Sequence, residues 1–350
     1  MYFGWYLFAR SQMHCHGAIL MKNNNQHGFT LVELMIAIVL GLLITAAAIQ
    51  LFITGQISIN TQKGMAEIQE SGNFGLRYIT NDIRRANYEN VGLINDRLLK
   101  GGILLTSRNA PAVVPTTVFN SSNIPINYPN SLATAVPLSS SKTQLSNVLD
   151  DAKAELKSDQ LVIQYYADQN GTDCEGNSYA SGRYIVQRYF LRLDTNVSNA
   201  EENQALALAC EAGWYTDASV KILKNPSTST LEFGKTDGEI LIRRVDYLRF
   251  LLGVSNNDLN NSFRYISVSD YLALRTYPRP RISSIQVGML VRSNDTANVS
   301  GLISADKVYG VLDQNIYLKP HANTTKYLRR VVSQTIALRN GMYTEAKAVM

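Results

Sequence analysis

The chain has 350 residues, 45% hydrophobic and 17% charged, with 33 Lys and Arg against 28 Asp and Glu for a formal net charge of +5. A charged share well below the usual ~25% excludes a disordered polyelectrolyte or an acidic solvating tail, and the length supplies ample apolar side chains for a core. Arg10 and Lys22 carry two of the positive charges ahead of residue 29, so the remainder is nearly balanced and offers no basic stripe to nucleic acid.

The first predicted element is an apolar helix. Phe29–Ile53 holds 25 residues with one charge, Glu33. At about 1.5 Å per residue such a helix crosses a hydrocarbon core of roughly 30 Å with some tilt. The polar, Gly28-terminated stretch precedes it, whereas in a secretory signal the small-residue cleavage site follows the apolar run. Cleavage after Gly28 would therefore leave the helix on the mature chain. A carboxylate inside a bilayer costs at least ~2 kcal/mol and marks a functional position. Two readings of Glu33 stand. It is a helix-end residue reaching the headgroup zone and favoured by the positive helix N-terminus. Alternatively, it is neutralised by a new amine at Phe29, four residues earlier, on its own subunit or a neighbour.

Gly28-Phe29-Thr30-Leu31-Val32-Glu33-Leu34 resembles the type III signal of type IV pilins and related pseudopilins. The resemblance implies that a prepilin peptidase cuts between Gly28 and Phe29 and that Phe29 becomes N-methylated. It also implies that Glu33, then the fifth residue, guides the subunit into a filament. A leader of residues 1–28 is long for that family, and Met21–Gly28 forms a complete short leader. Translation is accordingly expected to start at Met21, with residues 1–20 a mis-called extension. The His14-Cys15-His16 cluster falls in that extension and lacks a fourth ligand for a metal.

Residues 54–88 continue as an amphipathic helix. Met65, Ile68, Gly72, Gly75 or Leu76, Ile79, Ile83 and Ala86 recur at steps of three and four. Gln62, Lys63, Glu67, Glu70, Arg77, Asp82 and Arg84 occupy the opposite face, and the expected role of the apolar stripe is packing on the chain's own globular domain, residues 89–350. Gly55, with Ile57 and Ile59 nearby, is a weak patch where the helix could soften. Residues 101–147 hold Pro111, Pro115, Pro125, Pro129 and Pro137 among Ser, Thr and Asn, which predicts an irregular loop. Strands are expected at Gln160–Tyr166, Tyr184–Leu193, Ile240–Val254, Ile282–Arg292 and Arg329–Leu338 from their β-branched and aromatic content. Helix first and strands after indicates an α+β fold with a mainly antiparallel sheet.

Further along, the chain resembles the PilW family of minor pilins. The resemblance rests on Gly75–Tyr88, on Asp173-Cys174-Glu175-Gly176, on Ile185–Phe190, on Leu208-Ala209-Cys210, and on Arg329-Arg330-Val331 with Ala337–Asn340. It implies a pilin-like architecture, with the long helix packed on the sheet domain. The implied role is structural: a subunit that helps prime a type IV pilus near its tip. The implied partners are other minor pilins, the major pilin, the inner-membrane assembly machinery and prepilin peptidase, with a tip adhesin as a further candidate. It also implies a single-pass inner-membrane subunit with a periplasmic domain before assembly, and a place in the surface pilus afterwards.

Cys174 and Cys210 are the only cysteines after residue 28. In an oxidising compartment a disulfide is expected, with two buried thiols as the alternative. Only His321 could join them at a metal, which leaves too few ligands. Asp168–Asp173 departs from a calcium loop: Asp173 stands where the turn glycine belongs and Tyr179 where the bidentate Glu belongs. It reads as a turn. Neither a Gly-rich phosphate loop nor a triad around His321 is present, so the chain is expected to be non-enzymatic and without a cofactor. The rival to a pilus subunit is a minor pseudopilin of a type II secretion system, which shares the signal and the helix.

Overall fold

Steps of three and four between apolar residues persist without a proline from Phe29 to Asn87, and the resulting helix, α1, runs unbroken over Leu31–Arg85. The computed structural model describes residues 28–88, 101–105, 138–197, 204–216, 233–234, 236–255, 263–274, 279–296, 304, 306–320 and 327–339. His14, Cys15, His16, His321, the Met21 start and residues 106–137 of the proline-rich stretch lie outside these. The chain divides into two units, Met1–Thr54 and Gly55–Met350, so the boundary falls at the glycine singled out as a weak point, although the helix stays continuous there.

In the first unit the helix exposes its large apolar side chains on every side: Leu31, Met35, Ile38, Leu42, Ile49 and Phe52 all stand open. A helix apolar all round with nothing covering it suits a lipid environment rather than water.

The second unit is built on two antiparallel sheets. The first contains β1 (Ser140–Gln144), β3 (Ser158–Ala167), β6 (Arg183–Leu193), β7 (Leu206–Tyr215) and β8 (Glu239–Arg243), in that spatial order. The second contains β9 (Val245–Ser255), β10 (Phe263–Ile266), β11 (Arg281–Arg292) and β14 (Arg329–Ala337), ordered β10-β9-β11-β14. A short β2 (Val148–Leu149) pairs with β13 (Gln314–Leu318), which pairs with β12 (Tyr309–Val311). A small hairpin joins β4 (Gly171–Thr172) to β5 (Ser178–Tyr179), and a one-and-a-half-turn helix, α2 (Val268–Ala273), follows β10.

The apolar stripe of α1 is buried from Ile68 to Ala86 and shares one core with Leu161, Tyr189 and Leu208 of the first sheet and with Phe250, Ile285 and Val287 of the second. Gly75 permits this approach: a Cβ there would collide with Cγ1 and Cδ1 of Ile242 on β8. The two sheets are tied by buried polar bonds. Asp159 on β3 accepts from the Phe250 N–H at 2.9 Å and from the Arg249 guanidinium, while the Leu248 N–H donates to Ser158 Oγ at 3.1 Å. Within the second sheet, Asp246 accepts from Arg292 Nε at 3.2 Å, from Arg329 Nε at 2.8 Å and from the Asn147 amide at 2.8 Å. A buried carboxylate held by several donors is stable where an unpaired one would not be.

Three sequence expectations are corrected. The single strand expected at Ile240–Val254 is two, because Arg244 adopts a left-handed backbone (φ 59°) and passes the chain from one sheet to the other. Residues 101–147 are not irregular throughout. Ile103 bridges to Ile163 and is buried with Leu104 and Leu105, and Ser140–Gln144 forms the edge strand β1. Asp82, placed on the polar face of α1, is buried.

Candidate functional site

The first candidate site is the head of α1. Gly28, Phe29 and Thr30 precede the helix and are exposed, and Gly28 has open space where a Cβ would stand. Thr30 and Glu33 form a reciprocal cap. The Glu33 N–H donates to Thr30 Oγ1 at 3.2 Å, and the Thr30 N–H and hydroxyl each donate to Glu33 Oε2 at 3.1 Å. This is the capping box, in which the two side chains satisfy the orphan donors of the first turn. The carboxylate also lies at the positive end of the helix dipole. Thr30 was missed by sequence reasoning although its signature, Thr-x-x-Glu ahead of an apolar run, is legible. Phe29 and Glu33 share this helix start, and both bonds from Thr30 fall on one carboxylate oxygen, Oε2.

The second is the region around the end of α1. Cys174 and Cys210 are joined in a disulfide with a Cα–Cα separation of 6.1 Å. It staples the turn between β4 and β5 to the middle of β7. That turn is built locally: Asp173 Oδ1 accepts from the Glu175 and Asn177 N–H groups at 3.0 and 2.9 Å, and Gly176 takes the left-handed conformation (φ 86°) that glycine adopts at little cost. A second tie runs from the Ala212 N–H to Glu175 Oε2 at 3.1 Å. Next to the staple, Asp82 of α1 accepts a 2.9 Å hydrogen bond from the buried Tyr189 hydroxyl. Burial pushes its carboxyl up to about 6, the Tyr189 bond and the Arg85 charge oppose that rise, and the Asp173 carboxylate adds to it. Burial also pushes Tyr189 well above the usual phenol range, with Asp82 adding to the effect. Asp82 and Tyr189 therefore join the helix end to the first sheet as a neutral, hydrogen-bonded pair at mildly acidic pH. The sequence gives no signal for this pair, because an Asp on a helix ordinarily marks the solvent face.

Among the described residues no group of three or more His, Cys, Asp or Glu is arranged to hold a metal ion. The buried carboxylates Asp159, Asp194, Asp246 and Glu211 are engaged by arginines at 3.2, 3.2, 2.8 and 2.8 Å, which is a structural use of charge.

Two family descriptions match the chain. The prokaryotic N-terminal methylation motif covers residues 23–49, and type IV pilus-assembly protein W, PilW, covers residues 217–340. The second match spans β8 to β14, so the helix end and the disulfide lie outside it. No curated protein sequence matches the chain. Among solved structures, a type IV-like pilin from Thermus thermophilus is similar at 14% identity, covering 57% of this chain and 86% of that one, with a TM-score of 0.25 that is too low to bear on the argument. The chain thus carries a methylation motif at the head of an exposed apolar helix, and residues 217–340 of its α+β domain, which include the second sheet, are similar to type IV pilus-assembly protein W.

Proposed function

We propose that this chain is a minor pilin that helps initiate assembly of a type IV pilus and is incorporated into it as a structural, non-catalytic subunit. The observation that supports this reading most is the head of α1. There an exposed Gly28–Phe29 junction stands directly ahead of a capped helix whose apolar surface is open all round. On this reading prepilin peptidase reaches the Gly28–Phe29 bond in extended backbone, the new amine of Phe29 is methylated, and residues 29–53 stay in the inner membrane. The soluble domain, beyond the amphipathic helix half at 54–88, lies in the periplasm until the subunit joins the fibre.

Glu33 then has two successive partners. In the lone subunit Thr30 holds Oε2. In the fibre the Phe29 amine of a neighbouring subunit approaches the same carboxylate, where a charge-assisted bond in low dielectric outweighs a neutral one. The partners are other minor pilins, the major pilin and the inner-membrane assembly machinery.

Deletion of the gene, with surface pili and protein secretion scored separately, tests the reading. Loss of pili with intact secretion is expected. Intact pili with lost secretion would overturn it in favour of a minor pseudopilin of a type II secretion system.

A further inference from the structure

The outer edge of a sheet is a row of unpaired N–H and C=O groups, and folded chains ordinarily blunt it with shortness, charge, proline or a bulge. Three of the four outer strands of the two main sheets are blunted in this way. β8 carries Glu239 and Arg243 at its ends, and its register against β7 shifts at Leu208/Ala209. β1 has a register shift against β3, and its Lys142 takes a left-handed backbone (φ 57°). β10 is four residues long and holds Arg264. β14 has none of these devices. All nine of its residues, Arg329 to Ala337, pair with β11 without a shift, and Val331–Leu338 contains neither a charge nor a proline.

One face of this strand is fixed in place. Val332 packs on α1 beside Gly72, Gln334 Oε1 lies 3.0 Å from the Thr80 hydroxyl, and Ile336 belongs to the core. Ser333, Thr335 and Ala337 are exposed, and among the described residues no strand lies beyond β14. The charges stand at its two ends. Arg329 is turned inward onto Asp246, whereas Arg330 and Arg339 are exposed and meet no carboxylate among the described residues. The same charges decide the occupant. A second copy whose uncharged run covered Val331–Leu338 in antiparallel fashion would set Arg330 of each chain opposite Arg339 of the other. A parallel copy in register would set each arginine beside its own counterpart. Like charges so placed destabilise a pair of strands.

We propose that the outer edge of β14 receives an extended segment of another protein as an added strand, uncharged along Val331–Leu338 and acidic at both ends. The main-chain groups of β14 that do not face β11 bond to it, so the sheet grows by one strand. Hydroxyl and β-branched side chains on the segment suit the exposed Ser333 and Thr335. Its acidic ends meet Arg330 and Arg339 in charge-assisted hydrogen bonds. The inference stands on the sheet edge and does not depend on the priming role.

The test is fluorescence anisotropy of a labelled, end-blocked peptide titrated with the full mature chain in detergent. The peptide alternates valine and threonine, is as long as Val331–Leu338, and is flanked by aspartates. It is expected to bind at least tenfold more tightly than the same peptide flanked by lysines. Methylating its backbone nitrogens removes the donors and should abolish binding. Hydrogen exchange should show that the bound peptide slows amides of β14 and of no other edge strand. Arg330→Glu combined with Arg339→Glu, both at exposed positions, should keep the melting temperature and reverse the preference towards the lysine-flanked peptide. Failure of the aspartate-flanked peptide to bind, equal binding of its methylated form, or slowed exchange at another edge would each overturn the proposal. So would an unchanged preference in the double variant, or a dimer of the chain that the peptide dissociates.

Discussion

Replacing Asp82 with Asn should stabilise the domain at neutral pH and do little at pH 4. The carboxyl rises from 3.8 to about 6 on folding, so the native state holds its proton more tightly than the unfolded chain does. The stability contributed by the neutral group is complete below pH 3.8 and is lost as pH climbs through about 6. At about 1.36 kcal/mol per pH unit the loss approaches ~3 kcal/mol by pH 7.5. The Asn carbonyl oxygen still accepts from Tyr189, and the amide cannot ionise, so the penalty disappears while the bond stays. The assay is urea unfolding of the chain from Gly55 onward at pH 4, 5, 6 and 7.5, for both proteins. Asp159, also pushed up by burial, is common to the two and cancels in the difference. The difference should grow from about 0.5 kcal/mol at pH 4 to about 3 kcal/mol at pH 7.5, the bulk of it appearing between pH 4 and 6 and little above that. Parallel pH profiles would refute the reasoning, because they would mean that Asp82 is ionised in the fold at no cost.

Replacing Cys174 and Cys210 together with Ser should lower stability by roughly 3–4 kcal/mol on the chain-entropy account, seen as a lower urea midpoint, and an unchanged midpoint would count against the staple. Gly75→Ala should lower the melting temperature despite its better helix propensity, because the added methyl meets the buried Ile242 side chain. Gly55→Ala, with nothing within 4 Å of the added carbon, should raise it or leave it unchanged. Thr30→Val keeps the Glu33 carboxylate and removes the hydroxyl of the cap, costing about 1 kcal/mol at the helix start. Its ratio in sheared fibres against membranes should stay near that of the native chain, whereas Glu33→Ala should insert normally and be depleted from fibres. Equal incorporation of Glu33→Ala would reduce the carboxylate to a capping residue.

Where one physical signal dominated, the sequence was readable. The unbroken apolar run and the three-and-four spacing of Ile68, Ile79 and Ile83 lead directly to α1 and its buried face. The β-branched strands β3, β6, β11 and β14 fall within two residues of their expected limits. The strand β7 was not legible. Leu-Ala-Leu-Ala-Cys-Glu-Ala-Gly-Trp-Tyr reads as helix-forming, and because every residue of it is buried the alternation that betrays a half-exposed strand is missing. The turn at Arg244 carries no glycine or asparagine to announce its left-handed backbone. At the site, the Gly28–Glu33 register was plain, and the Thr30 cap was visible in principle. The Asp82–Tyr189 pair was not, since its meaning comes from a partner 107 residues away.

The central claim, that this chain is processed at Gly28–Phe29 and enters a pilus fibre, is tested most directly by mass spectrometry of pili sheared from cells producing the native chain. The account predicts a peptide beginning at N-methylated Phe29, present in the fibre fraction at low abundance relative to the major subunit. A chain found in fibres with residues before Phe29 still attached, or found processed in membranes but missing from fibres, would contradict it.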